Sequence, residues 1–585
     1  MGLRYDFLYP GTSEEFGLSE RRFKKMPLAG ILNVISEITT DNHRLEDLAV
    51  QEALFRLDKL SVENFYCPTS HFSHEQMVQD LNLEAVVDFL LRPRFLPQFQ
   101  LKVLSNAPAD LETSLYRQEG VKELVENPNV AKGLEDAVDL FSQLLCSLQN
   151  RVYAYNQLRW LTGRRQKLKI LTPFNIAILQ KYTAMIEKFA EAVESAESGP
   201  MQRLKDYIGE LRNSRFYRDV FGVFDVSYFK DLRISLDVTI GRNGVPTASE
   251  YHSSERANRI PAFRLISRSS HLAFVTAFLK MWSLPSTFAM DAINTTVQRN
   301  LDDLLKVAEI IGPVEFYTSG AGFYRRMNEI GMPVEFPALL PKEERRMYLP
   351  QARNPLLLYQ EGADERNISR IVPNNITYDA DKNMFVITGP NNGGKTCYAK
   401  TGGLFQLLAQ DGLPITTDSG AYLSVVDGLY THFVTPDDIM AGEGRLKNEL
   451  RRVEQILKRV TPFSYVILDD PCGGTDSSEG ARESGKILYG LHRYGSVVFF
   501  TTHLYEVANI ISSSNFSGAS NMQAEVLEDS VSGRPIRTYR IIPGKAKSSY
   551  AEDVAESVGL TREGIDALIT ERAQLGVFPR SLLRN

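Results

Sequence analysis

A chain of 585 residues, 43% hydrophobic and 24% charged, is long enough for roughly two to four domains with cores of their own. No apolar run approaches the ~18 residues of a membrane span, and the start M-G-L-R-Y-D-F-L-Y-P lacks the apolar block of a signal peptide. A net charge of −6 leaves only a local path for DNA, and four scattered cysteines without a C-x-x-C pair indicate neither zinc nor a disulfide frame, so a reducing cytoplasm is the expected setting.

Residues 1–74 mix short apolar runs with turn signals, and no function is read from them. Helical periodicity begins near Glu75. Leu134, Val138, Phe141, Leu145 and Leu148 follow steps of four and three, one face of a helix. Arg159–Lys169, R-W-L-T-G-R-R-Q-K-L-K, is the best local candidate for phosphate-backbone contact, with Trp160 able to stack on a base, although a solvated helix-to-loop junction is the preferred reading. Thr172-Pro173 reads as an N-cap with proline at the first helical position, ahead of a stripe at Ile178, Tyr182, Met185, Phe189 and Val193.

The period then changes. Ile234, Leu236, Val238 and Ile240 alternate with polar residues, predicting a half-buried strand, and Gly241 with Asn243-Gly244 supplies a turn. Helical patterns return from about Ala262 to Ile330, and the proline-punctuated G-M-P-V-E-F-P-A-L-L-P leads into an α/β pattern. The expected architecture is multidomain, α plus α/β. A helical body spans 75–340 with a short β insertion near 232–248, an α/β domain spans 341–547, and a helical segment closes the chain at 548–585.

Within the α/β part, V-I-T-G-P-N-N-G-G-K-T-C-Y fits G-x-x-x-x-G-K-[ST] at Gly389, Gly394, Lys395 and Thr396. Glycines let backbone N–H groups turn inward around phosphates, the lysine gives a point charge to β/γ oxygens, and the threonine gives Mg²⁺ a hydroxyl. Met384–Thr388 reads as the strand entering the loop and Thr396–Leu408 as the helix leaving it. Val466–Leu468 is a buried strand ending in Asp469-Asp470. Asp469 stands where a carboxylate would hold Mg²⁺, and Asp470 where one would orient the attacking water. Alone, the pair would read as a solvated strand end. It is joined by the strand Ser496–Phe500 and by Thr501-Thr502-His503, whose histidine can reach a γ-phosphate. Apolar positions 446, 450, 453, 457 and 460 mark a helix beginning near Gly444, either a plain amphipathic helix or one whose glycine-framed N-terminus closes over a partner's nucleotide.

Together these residues resemble the MutS family of DNA mismatch repair ATPases. G-P-N-N-G-G-K-T-C-Y (Gly389–Tyr398, with Pro390, Asn391, Asn392, Gly393 and Cys397) is similar to its phosphate loop, except that Asn392 replaces a methionine. L-D-D-P-C-G-G-T-D-S-S-E-G resembles its Walker B and D-loop, T-T-H its histidine switch, and I-P-G-K-A-K-S-S-Y-A-E-D-V the lead into its C-terminal dimerising helices. Leu111–Pro128 and A-R-N-P-L-L-L (Ala352–Leu358) are similar to the start of its helical core and to the entry of its ATPase domain. The resemblance implies an ABC-type P-loop ATPase head that binds ATP and Mg²⁺, a helical lever, and a homodimer burying two nucleotides. It also implies association with DNA and repair-protein partners in the cytoplasm, and no membrane.

Departures bound what carries over. The only Phe-x-Glu, Phe189-Ala190-Glu191, lies in a predicted helix with Phe189 on its apolar stripe, so mismatch reading by that wedge is not expected. Asp470 stands where the family has glutamate, retreating by roughly 1.5 Å, which predicts slow hydrolysis. Gly444 replaces the signature serine, leaving amides around Gly442–Arg445 to reach the partner's nucleotide. Ile371 replaces the aromatic that stacks on adenine, with Tyr539 expected opposite. The short β pair allows a minimal clamp or none. The competing reading is an ATP-dependent dimeric scaffold presenting its arms to protein partners. An ABC transporter subunit ranks third, lacking any membrane segment.

Overall fold

The computed structural model describes Leu8 and residues 75–157, 164–222, 234–240, 246–254, 290, 293–298, 300, 304, 306–361, 368–434, 445–474, 476–513, 516–528, 535–546 and 559–575. These fall into two compact units, one holding residues 91–102 and 119–322, the other 75–90, 103–118 and the residues from 323 onward.

The first unit is mainly helical. Helix α1 (Leu111–Glu126) contributes its residues from 119 onward, followed by α2 (Pro128–Gln157), α3 (Arg164–Ala192) and α4 (Gly199–Asn213). The stripe of Leu134, Val138, Phe141, Leu145 and Leu148 on α2 is buried, as is that of Ile178, Tyr182, Met185 and Phe189 on α3. Lys188 pairs with Asp136, Lys181 donates to Gln143, and Arg151 donates to Asn175. Partner numbers fall on one helix as they rise on the other, so α2 and α3 form an antiparallel hairpin. Phe189 is fully buried in α3, matching the core reading of Phe-x-Glu.

One expectation is overturned here. Thr172-Pro173 does not begin a helix; it lies inside α3, with Pro173 in the interior. Thr172 is buried, and its hydroxyl donates 2.6 Å back to the carbonyl of Leu168. An interior proline costs about 3 kcal/mol. Leu168 and Leu171 before it and Ile178 and Leu179 after it are all buried, and this packing outweighs the capping signal. Of the basic cluster, residues 158–163, Trp160 included, lie outside the described residues, while residues 164–169 open α3.

Strands β1 (Ile234–Ile240) and β2 (Pro246–Ser254) pair antiparallel where the alternation and turn predicted them, although the burial of their side chains lies outside what is described. Helix α5 (Ala308–Glu329) divides between the units at residue 322.

In the second unit, β3 (Ala338–Leu340), β4 (Met347–Ala352), β5 (Asn374–Tyr378) and a later strand, Tyr422–Ser424, form a four-stranded sheet. Next come β6 (Met384–Thr388) and α6 (Lys395–Gln410), then that later strand as β7, β8 (Leu429–His432), α7 (Arg445–Leu457) and β9 (Tyr465–Asp469). Helix α8 (Ser477–Tyr494), β10 (Val497–Thr501), α9 (Tyr505–Ser513), β11 (Ala519–Glu528) and β12 (Pro535–Pro543) complete it, and α10 (Arg562–Gln574) follows. The main sheet has the order β12-β11-β6-β10-β9-β8, parallel throughout except for the edge strand β12. Every residue of β6 and β10 is buried, as a parallel sheet covered on both faces requires.

Helix α6 is buried almost all round, and its C-terminal end is anchored in the same unit. Arg117 Nη1 donates to Asp411 Oδ1 at 2.5 Å, with neither side chain exposed. Gly412 follows at φ +77, and a Cβ there would stand 2.4 Å from the Gln118 nitrogen. By contrast α10 buries none of its residues, and Leu560, Leu568 and Leu575 are all more than half exposed. No helix among the described residues is long and apolar enough to cross a membrane.

Candidate functional site

Parallel register aligns the carboxyl ends of three neighbouring strands. Thr501 of β10 faces Ile387 of β6 on one side and Asp469 of β9 on the other. The loops leaving these strands, at Gly389, Asp470 and Thr502, therefore open on the same edge, where open α/β sheets place their ligands.

The first loop turns through Gly389 (φ +141) and Gly394 (φ +90), angles that favour glycine, while Asn392 takes the left-handed region at φ +59. Gly389 also packs closely, since a Cβ there would sit 2.9 Å from that of Ala524. Lys395 opens α6, and its Nζ curls back into the loop, donating to the carbonyls of Gly389 and Pro390 at 2.9 Å each. Burial lowers its ammonium below the usual lysine value, while Asp470 and Asp469 oppose the shift. The ammonium is thus held by two neutral acceptors.

Thr396, one residue on, puts its hydroxyl 3.0 and 3.1 Å from the two oxygens of Asp469, which also accepts from Thr501 Oγ1. Burial raises the Asp469 carboxyl above its usual value, against those hydroxyl bonds. A half-buried carboxylate beside a hydroxyl is a hard oxygen donor set that fits Mg²⁺, which is typically held by one or two protein oxygens together with phosphates. Among the described residues no cluster of three or more His, Cys, Asp or Glu forms a self-contained metal cage.

Asp470 adopts φ +52 and is gripped from three sides. Thr502 Oγ1 and the His503 amide donate to Oδ1 at 3.0 and 3.4 Å, and His503 Nδ1 donates to Oδ2 at 2.7 Å. Burial would raise this carboxyl, but the His503 and Thr502 hydrogen bonds prevail and hold it below its usual value. The same bond raises His503 above the ordinary histidine value, against partial burial. Because the folded histidine value is the raised one, the pair's contribution to stability is fully present below about pH 6.5 and fades as pH climbs through the raised value. Thermal melts of wild type and His503→Asn across pH 5 to 9 should therefore differ most at the acidic end and converge at the alkaline end.

A cavity of about 1040 Å³ collects these groups. Asn391 to Cys397, Asp469, Asp470 and His503 line it, as do Ile371 and Tyr539, the residues predicted for the nucleotide base. Tyr539 reaches the cavity because β12 carries extra residues opposite β11 between Ala524 and Val526, and it sits there at φ +59, half exposed. Asn374 fixes that bulge, donating to the Tyr539 carbonyl at 3.0 Å and accepting from the Ile541 amide at 2.8 Å. Ile371 is buried. The Cys397 thiol is pushed up by burial. Gly442 and Gly444 lie outside the described residues.

Sequence reasoning overlooked Thr501, Thr502 and Asn374. The first two were in plain view in T-T-H, their hydroxyls able to serve the two aspartates once the strands were taken as parallel neighbours. Gly473 was also missed. A Cβ there would lie 2.5 Å from Asp470 Oδ2, so Gly473→Ala should displace the carboxylate and loosen its bond to His503, which an NMR titration would read as a histidine value lowered toward the ordinary one.

Residues 385–575 match the family model described as MutS domain V. The chain is 32% identical over 293 residues to Endonuclease MutS2 of Staphylococcus aureus, covering 49% of this chain and 38% of that protein. The Endonuclease MutS2 proteins of strains JH9 and Newman align over the same length at 32% identity, covering 35% of each. The matched stretch thus spans little more than a third of these curated relatives. The phosphate loop, the aspartate pair and the histidine at the ends of adjacent parallel strands thus lie within a stretch that matches MutS domain V, and the chain is similar to MutS2 proteins over about half of its length.

Proposed function

We propose that this protein is a dimeric, DNA-associated ATPase of DNA repair or recombination that does not read mismatches through a Phe-x-Glu wedge. The supporting observation is the convergence of Lys395, the Thr396–Asp469 pair and the Asp470–His503 pair on one cavity at one sheet edge. In this reading the amides of Gly389–Thr396 cradle the phosphates, and Lys395 leaves its two carbonyls for the β/γ oxygens. Thr396 and Asp469 hold Mg²⁺, which when bound neutralises charge on those oxygens. Asp470 orients the attacking water, and His503 senses the γ-phosphate across the hydrogen bond that joins them. Ile371 and Tyr539 flank the base. Gly442 and Gly444 serve the nucleotide of the second copy, and α10, with its uncovered apolar side chains, belongs to the dimer contact.

Gel-shift comparison of duplex, mismatched and branched DNA, with and without ATP, tests the DNA part. Binding that changes with ATP is expected, and no binding to any of the three would remove DNA from the account. The endonuclease activity in the relatives' name is not carried over, given the share of their length that aligns.

One observation favours a second reading, a slow-hydrolysing scaffold that recruits protein partners. Asp470 already has a short side chain, and three donors draw its carboxylate toward β10. Affinity capture with an Asp470→Asn chain locked in ATP separates the two, by whether DNA or protein is retained.

A further inference from the structure

We infer that Glu449 is a positioning residue for ATP hydrolysis, acting through the turn Asp470–Gly473 rather than on the nucleotide. The inference rests on the ATPase reading above and concerns a side chain outside the cavity lining. Two residues of this turn are left-handed without being glycine, Asp470 at φ +52 and Cys472 at φ +69. Each such residue costs roughly 1–3 kcal/mol and persists only where its surroundings over-determine it.

The anchors are identifiable. The Asp470 amide donates to the Thr501 carbonyl at 2.8 Å, and the Gly473 amide to the Asp470 carbonyl at 3.1 Å. Ser484 Oγ, from α8, donates to the Pro471 carbonyl at 3.3 Å. The Cys472 amide donates to Glu449 Oε2 at 3.3 Å, in a fully buried contact. Glu449 lies on α7, an element that flanks neither end of the turn, and its side chain bonds the turn's backbone directly.

Removing that oxygen strands a buried N–H and releases one of the two strained residues. Movement of Cys472 carries Gly473 with it, and Gly473 lies directly beneath the Asp470 carboxylate. The phosphate-holding groups belong to β6 and α6, and Asp469, which adjoins the turn, is held independently of it by the Thr396 and Thr501 hydroxyls. The consequence of losing Glu449 therefore falls on turnover and spares nucleotide affinity.

The test compares Glu449→Ala and Glu449→Gln in the full chain, measuring kcat, KM and equilibrium ATP binding. Glu449→Ala should lower kcat by ~10- to 100-fold, the scale of an ångström-sized misplacement, with the dissociation constant essentially unchanged. Glu449→Gln keeps an oxygen that can accept from Cys472 and should retain most of the rate. Should Glu449→Ala not fold, Glu449→Asp, a carboxylate shorter by one methylene, takes its place and should also lose kcat alone. Unchanged kcat in a folded Ala or Asp variant, a loss confined to affinity, or a Gln variant as impaired as the Ala variant overturns the inference. A wild-type chain without ATP turnover removes the ATPase reading and this inference with it, whereas normal wild-type turnover beside an unaffected variant removes the inference alone.

Discussion

Lys395→Ala is expected to lower ATP turnover by about 10²- to 10³-fold, the usual consequence of deleting one preorganised charge at a transferring phosphoryl group. In the described fold the ammonium is buried and bonds only to the carbonyls of Gly389 and Pro390, so no carboxylate competes for it within hydrogen-bond distance. Both bonds are to neutral oxygens, and a triphosphate is a far stronger acceptor. The alanine variant keeps the loop's glycines and amides, so the fold should survive. Phosphate-release kinetics would measure this loss, and an equilibrium titration with a fluorescent ATP analogue the weaker nucleotide binding expected beside it. Unaltered affinity would mean that the cavity does not hold phosphates where the loop indicates.

Arg117→Ala is expected to destabilise the second unit by about 3–5 kcal/mol, because it leaves a charge buried without its partner. Asp411 would lose the Arg117 guanidinium while fully enclosed, and among the described residues its Oδ2 has no hydrogen-bond partner. Relaxation cannot open much space, since Gly412 is pressed against the backbone of Arg117 and Gln118. The double variant Arg117→Met with Asp411→Leu should recover most of that loss, because apolar groups of similar volume often replace a buried pair at little cost. Urea unfolding of the three chains measures this. A single variant as stable as wild type would mean that water reaches the pair.

Much of the site was legible in the sequence because its chemistry is local. The strand Met384–Thr388 was predicted with the ends it has, and the helix after the loop starts one residue earlier than predicted, at Lys395. Strands ending at Asp469 and Thr501 were visible as short apolar runs, and parallel register then fixed how the three loops meet. Thr172-Pro173 misled for the opposite reason. A local capping signal was overridden by packing along α3, which no window of a few residues can weigh.

What escaped altogether depends on distant partners or on unusual backbone. Arg117 and Asp411 lie 294 residues apart and carry no local mark of pairing. Glu449 reads as one more charge on an amphipathic helix until the Cys472 amide is seen beside it. Tyr539 was assigned to the base side by resemblance, but the bulge that turns it inward has no glycine or asparagine at the left-handed position to announce it.

The central claim is that two copies of the chain enclose ATP between them, each completing the other's site. Sedimentation velocity of the full-length Asp470→Asn chain, with and without saturating magnesium-ATP, tests it most directly. The account predicts that nucleotide shifts the protein to a dimer, and that adding Lys395→Ala abolishes the shift. A sedimentation profile that stays monomeric at saturating nucleotide would contradict it.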